Sequence, residues 1–303
     1  MEISDKIGYC CINQTLEPKG IKVNRGMIKK TFDEKGLPYV SELVIANLKD
    51  TIEIIKWNEQ NNIRNYRLSS DTFSWFTHYE LKDLPNFDKI KNLLSGMGKL
   101  IKSYKHKVSY HPGQFNVLCS PRPDVVEKTI YELNQHALIM DLMELDMNPF
   151  YNINIHVGGV YGDKKSSMER FCNEFEKLSS SAKARLTVEN DDSPNGYTVD
   201  DLFDGVYEKI KTPIVFDSLH HFCNDGGVTA EKALNIATKT WGYIIPEVHH
   251  SSSKKLYEDE KTTLKSHADY IYDKFVDYGG ELYISIEAKG KELAVKKYKE
   301  QFF

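Results

Sequence analysis

The chain has 303 residues, 40% of them hydrophobic and 28% charged, with 40 Lys+Arg set against 44 Asp+Glu for a net charge of −4. That composition excludes collagen-like, coiled-coil and disordered chains, and the acidic balance excludes a protein that holds nucleic acid by bulk positive charge. The absence of any apolar run near ~18 residues argues against a membrane span, and five cysteines, an odd number, imply no disulfide framework and an intracellular, reducing setting.

The N-terminal MEISDKIGYCCI passes from charge straight into an apolar run and shows no signal-peptide core or cleavage site. From there one pattern repeats: a short run rich in Val, Ile, Tyr and Phe, a loop, then an amphipathic helix. The β-type runs are KIGYCCI (6–12), NYRLSS (65–70), KVSYH (107–111), YNINIHV (151–157), RLTVEN (185–190), PIVFDS (213–218), GYIIPEVHH (242–250) and ELYISIEA (281–288). Helices are predicted over 41–61 with Ser41 as N-cap, 89–104, 124–145, 166–184, 199–211 behind a Thr198/Asp201 cap, 229–241, 266–279 and 289–302. The polar stretch 13–40 reads as a long functional loop. Eight strands alternating with eight helices, without a GxGxxG or GxxxxGK[ST] phosphate loop, favour a single (β/α)8 TIM barrel over 1–303 rather than a doubly wound sheet.

Barrel chemistry gathers at the C-terminal ends of the strands, so those ends carry the functional reading. In order they present His111; His156; Glu189; Asp217, with His220 three residues on; Glu247 and His249; and Glu287. Asp, Glu and His make up 54 of the 303 residues, so six such ends would coincide by chance only about 1% of the time. A ring of imidazoles and carboxylates in one mouth repels and loses hydration unless a cation or substrate sits among them. His and carboxylate ligands without Cys suit Zn²⁺, Mn²⁺ or Fe²⁺. About eight donors are too many for one ion and enough for two or three, the arrangement used to cleave phosphodiesters.

Taken together, IGYCCIN (7–13), RLSSD (67–71), YHPGQF (110–115), NIHVGG (154–159), TVEND (187–191), FDSLHH (216–221), VHHSS (248–252), HADYI (267–271) and IEAKGKE (286–292) resemble the UV damage endonucleases over nearly the whole chain. The resemblance implies a barrel related to endonuclease IV, a site at its C-terminal mouth holding two or three divalent cations (Mn²⁺ first, with Zn²⁺, Mg²⁺ or Co²⁺ as alternatives), and incision of damaged double-stranded DNA immediately 5′ to UV photoproducts. It implies a monomer with no membrane partner. By position, His111, His156 and Glu189 would hold one ion; Glu189 would bridge to a second held by Asp217, His249 and Glu287; His220 and His267 would hold a third. Glu189, His249 and Glu247 would stand at the reaction centre. Some relatives carry a modified lysine where Glu247 stands, so Glu247 is either a substitute carboxylate near the ions or a residue of the barrel wall.

A photoproduct is poorly stacked, so extruding it costs less than extruding a normal base, and a wedge must fill the gap. Gln114 and Phe115 suit that task. Tyr9 and Asn13 resemble the family's lesion-pocket pair, His78 and Trp75 are candidates to line the same pocket, and Lys289 could meet a phosphate. Lys19, Lys22, Arg25, Lys29 and Lys30 form either a phosphate-binding first loop or a solvated face. His106 and His136 read as structural, and the period-2 geometry of strands turns His221 and His250 away from the mouth. The competing functions are an abasic-site endonuclease of the endonuclease IV type, a metal-dependent sugar isomerase or epimerase on the same barrel, and a barrel that binds damaged DNA without cutting it.

Overall fold

The structure, a computed structural model, describes residues 3–303; Met1 and Glu2 of the expected domain lie outside the described residues. Eight short parallel strands, β1 (Ile7–Cys10), β2 (Asn65–Arg67), β3 (Lys107–Ser109), β4 (Ile153–Ile155), β5 (Leu186–Glu189), β6 (Ile214–Asp217), β7 (Glu247–His250) and β8 (Tyr283–Ile286), pair in the order β3-β2-β1-β8-β7-β6-β5-β4. First and last strands are therefore neighbours, as the barrel expectation requires. The ends of that order, β3 and β4, meet at an isolated bridge between Tyr110 and Ile153, where the Tyr110 N–H donates to the Asn152 carbonyl at 2.9 Å.

The helices follow in chain order: α1 (Lys29–Gln60), α2 (Phe87–Ser103), α3 (Pro123–Leu142), α4 (Lys164–Phe175), α5 (Ser180–Arg185), α6 (Val199–Leu202) running through a π-helical stretch into α7 (Glu208–Ile210), α8 (Ser218–Cys223), α9 (Ala230–Lys239), α10 (Lys254–Tyr257) and α11 (Lys291–Phe302). Thr198 and Asp201 form the expected capping box at α6. No helix among the described residues is long and apolar enough to cross a membrane. All five cysteines are free.

Three expected elements differ. The helix expected to begin at Ser41 already begins at Lys29, kinked at Gly36, whose φ of 58° a side chain would resist; Pro38 follows, and Ser41 is buried inside the helix. The loop expected over 13–40 is shorter by that much. The helix expected over 166–184 is broken between α4 and α5, where Ser179 caps a new start by accepting from the Ala182 N–H at 3.1 Å. The helix expected over 266–279 is absent. There the Glu258 carboxylate accepts the Asp269 N–H at 2.8 Å and the Tyr270 N–H at 3.2 Å, and the Ser252 hydroxyl accepts the Tyr272 N–H at 3.0 Å. These partners satisfy the donors that a helix would otherwise turn inward on itself.

Strand side chains alternate between two environments. Ile7, Tyr66, Val108, Ile153, Val188, Ile214, Val248 and Ile284 join the apolar layer under the helices. The opposite set fills the barrel and is largely polar. Lys107 Nζ lies 2.7 Å from Asn152 Oδ1; Asn152 Nδ2 donates to Thr187 Oγ1 at 3.1 Å, Thr187 Oγ1 to Asn154 Oδ1 at 2.9 Å, and Asn154 Nδ2 to Glu189 Oε2 at 2.5 Å. Asn65 Nδ2 reaches Ser285 Oγ at 3.1 Å across β1, where a Cβ on Gly8 would stand 1.7 Å from the Asn65 carbonyl oxygen. Such a polar interior is tolerable because its members are paired, and pairing rigidifies the floor on which the mouth residues stand.

Candidate metal centre at the barrel mouth

Glu189 closes β5 with its carboxylate 1% exposed and four imidazoles around it. His111 Nε2 lies 3.1 Å from Oε2, His249 Nδ1 3.1 Å from Oε2, His220 Nδ1 3.2 Å from Oε1 and His156 Nε2 3.9 Å from Oε2. Two donor sets result, His111–His156–Glu189 and Glu189–Asp217–His249, each with ligand atoms within 4.8 Å of one another and both containing Glu189. Asp217 caps α8 by accepting the His220 N–H on Oδ1 at 2.8 Å, while its Oδ2 is buried with no hydrogen-bond partner among the described residues. A buried carboxylate oxygen without a donor is costly, and a cation satisfies it. The donor chemistry and this orphaned oxygen both fit divalent cations.

Neighbours fix several rings in ligand-ready tautomers. His156 Nδ1 lies 2.7 Å from Asp191 Oδ1 and His220 Nδ1 2.9 Å from the Asn190 carbonyl. A carbonyl only accepts, so His220 Nδ1 carries hydrogen and its Nε2 is left free, while Asp191 pairs with the His156 ring by charge. His267 Nδ1 donates likewise to the Glu287 carbonyl at 2.7 Å, with Glu287 Oε2 at 3.7 Å.

The charge balance points the same way. Burial pushes the Glu189 carboxyl up, yet His249, His156, His111 and His220 reverse this and hold it well below the usual carboxylate range. Burial pushes His156 and His220 down, and the carboxylates, Glu189 and Asp191 for the first and Asp217 and Glu189 for the second, bring them up to about 9 and about 11. Without a cation, protons supply the positive charge this ring demands.

Glu287 stands at the mouth beside His249, with Oε1 3.4 Å from its Nδ1. Glu247 belongs to another tier. It begins β7 two residues before His249, is fully buried, and lies outside both donor sets. Its Oε2 is 3.0 Å from Lys107 Nζ, and Ser285 and Ser109 donate to its Oε1 at 2.6 and 3.3 Å. The barrel-wall alternative describes its position.

A cavity of about 880 Å³ opens above the donor sets, lined by His111, Gln114, His156, Glu189, Asp191 and Asn195 among others. Phe115, next to the lining residue Gln114, is 83% exposed and does not pack under the rim. An adjoining cavity of about 600 Å³ takes in His267, Glu287, Lys265, Lys289 and Lys291. Trp75 stacks on Phe32 with centroids 5.4 Å apart and the exposed His78 meets both edge-on, an aromatic group outside these two cavities.

Tyr9 and Asn13 do not reach the mouth. Both are buried, with Tyr9 Oη 2.8 Å from Asn58 Oδ1 on α1 and 2.8 Å from Asn13 Nδ2. With Gly8 facing inward, strand alternation turns Tyr9 toward the helices. In the first loop Arg25 is committed to Asp50 at 2.7 Å, Lys29 to Asp33 and Lys30 to Glu34 at 3.9 Å, while Lys19 and Lys22 are exposed. His250 faces away from the mouth, its Nε2 donating to the Asp273 carbonyl at 3.0 Å, and His136 is buried beside Phe76 and Tyr110.

Two residues at the centre escaped the sequence reading. Asp191 stands two residues beyond Glu189 in the same alternation, and Arg67 ends β2 with Nη2 2.5 Å from Glu287 Oε1 and 2.7 Å from His249 Nε2. Arg67 is a polar residue at an inward strand position, and Asp191 is a carboxylate in the loop two residues past the end of β5.

A model of the UV-endonuclease UvdE family matches residues 5–301. A UV DNA damage endonuclease of Clostridium perfringens is 32% identical over 300 residues, covering 96% of this chain and 69% of its own. The Bacillus cereus protein of the same name is 34% identical over 265 residues, covering 83% and 79%. The crystal structure of SacUVDE superposes with a TM-score of 0.84 at 31% identity, over 97% of this chain and 98% of the other.

Proposed function

This chain belongs to the UV-endonuclease family of DNA-repair nucleases, and from that premise we propose that it incises damaged double-stranded DNA immediately 5′ to UV photoproducts with two or three divalent cations, Mn²⁺ first among them. The observation that carries this reading is Glu189, one buried carboxylate shared by two donor sets beneath an open cavity.

His111, His156 and Glu189 would hold one cation; Glu189, Asp217, His249 and Glu287 a second; His220 and His267 a third. Bound there, the cations supply Lewis acidity to the scissile phosphodiester and to the water that attacks it. The chain's own residues do the rest. The Asn190 carbonyl holds His220 in one tautomer, and Asp191 pairs by charge with His156. Glu189 is kept ionised by the imidazoles around it. Gln114 and Phe115 enter the duplex beside the lesion, the amide bonding to orphaned bases and the ring stacking. Lys289, exposed beside Glu287, takes a backbone phosphate. His78 and Trp75 would contact the duplex outside the two cavities.

The test is a nicking assay on a labelled duplex with one cyclobutane dimer, beside undamaged and abasic duplexes, with Mn²⁺ or with EDTA. We expect a Mn²⁺-dependent cut just 5′ of the dimer, abolished by Glu189→Gln in a protein that still folds. Cutting confined to abasic DNA would move the function to the endonuclease IV type, and cutting by the Gln variant at the normal rate would overturn the site.

A further inference from the structure

The two donor sets are not equivalent, and Arg67 makes the difference. This side chain rises from the end of β2 into the ring and is 8% exposed. Its Nη2 lies 2.5 Å from Glu287 Oε1 and 2.7 Å from His249 Nε2. A guanidinium stays charged and only donates, so it holds the His249 ring, with Nε2 at 2.7 Å and Nδ1 at 3.3 Å, and pairs by charge with Glu287 Oε1. His111 and His156 are engaged instead with Glu189 and Asp191. The guanidinium therefore touches the second donor set directly, through His249 and Glu287, and reaches His111 of the first only at longer range.

We propose that Arg67 is a resident cation that imposes an order of loading. His111–His156–Glu189 fills first; a cation at His249, Asp217 and Glu287 must take those groups from the guanidinium and bind in its repulsive field. Arg67 is a positioning residue in this account. It holds His249 and Glu287 in place while the ring is short of positive charge, and it sets the affinity of the later site. The inference rests on the cation-binding role of the ring.

Mn²⁺ binding to the full chain, stripped with chelator, is measured by calorimetry, with metal content and melting temperature alongside. Wild type is expected to show a tight step and a weaker one. Arg67→Met should tighten the weaker step by about tenfold or more and the tight step by clearly less, so that the two steps draw together, lower the melting temperature of the stripped protein, and widen the Mn²⁺-induced rise. Arg67→Gln, polar but uncharged, should behave as Met does and serves if the Met variant does not fold without metal. Arg67→Lys, which keeps the charge, should leave the weaker step within about threefold of wild type. Equal steps in wild type and the uncharged variants overturn the inference alone, as does a Lys variant as tight as Met. No Mn²⁺ uptake by any of the proteins overturns the cation reading and this inference with it.

Discussion

Phe115 leaves 83% of its surface in water on the loop after β3, an exposure that folding does not need and that a binding role explains. Removing it should cost little stability and much recognition. We expect Phe115→Ala to unfold within about 0.5 kcal/mol of wild type. Its incision of a dimer-containing duplex at limiting substrate should fall roughly ten- to a hundredfold, the worth of a stacking ring at ~1–3 kcal/mol. A variant that melts normally and nicks normally would leave the ring without that role. Residue by residue, the clustering of His111, His156, Glu189, Asp217 and His249 was legible because a barrel delivers its strand ends to one mouth, where His and carboxylates stand out. Tyr9 was not, because the sequence of β1 does not say which of its faces looks inward until Gly8 is seen beneath Asn65. Arg67 was not, because an arginine inside the polar strand NYRLSS, three residues after Arg64, has the pattern of a solvated residue.

Between elements, the Lys107–Glu247 pair ties β3 to β7 across the barrel, both side chains fully buried. Lys107 Nζ also donates to the Phe150 carbonyl at 2.9 Å. Burial pushes the Glu247 carboxyl up, but Lys107, His249 and Arg67 bring it down to about 2. That depressed value stabilises the fold above the unfolded carboxyl pKa of about 4.3, and the contribution is lost as pH falls toward 2. Lys107→Met strands a buried charge and should cost about 3–5 kcal/mol in urea unfolding, with Lys107→Met/Glu247→Leu recovering most of the loss. If the single variant is as stable as wild type, the pair is not what holds these strands. This tier was half legible. YNINIHV alternates polar and apolar residues along β4, yet the usual expectation of a Val/Ile-filled barrel hides the meaning of Asn152 and Asn154. The helix expected over 266–279 failed for a different reason: its periodicity is real, but Glu258 and Ser252, outside the segment, take its backbone donors.

Across the whole molecule, the pH dependence of stability sums opposite contributions: His156 and His220, raised to about 9 and about 11, favour the folded state toward acid, and the buried neutral histidines away from the mouth oppose them. Burial holds His136 below its ordinary value, with Nδ1 donating to the Glu132 carbonyl at 2.9 Å, and burial lowers His106 despite Glu59 at 3.1 Å. Their folded pKa values lie below the unfolded one, so the unfolded chain binds the extra protons. Their share of the stability should therefore decline as pH falls below about 6.5, by up to roughly 1.4 kcal/mol per pH unit for each such proton. Comparing melting temperatures of wild type and His106→Gln between pH 7 and 5 isolates this share: the variant should lose less stability toward acid, relative to its value at pH 7, than wild type does, and identical pH profiles would refute the assignment. The order of strands was legible from the eight repeats, but the junction between β3 and β4 was not, since it depends on register rather than composition. That junction has a mechanical meaning. His111 follows Tyr110 on one bank and His156 follows Ile155 on the other, their ring centroids 5.5 Å apart across the thinnest line of the wall. An ion gripped by both rings would work as a clasp, so that prising the cylinder open there and disarming the cutting centre would be a single event.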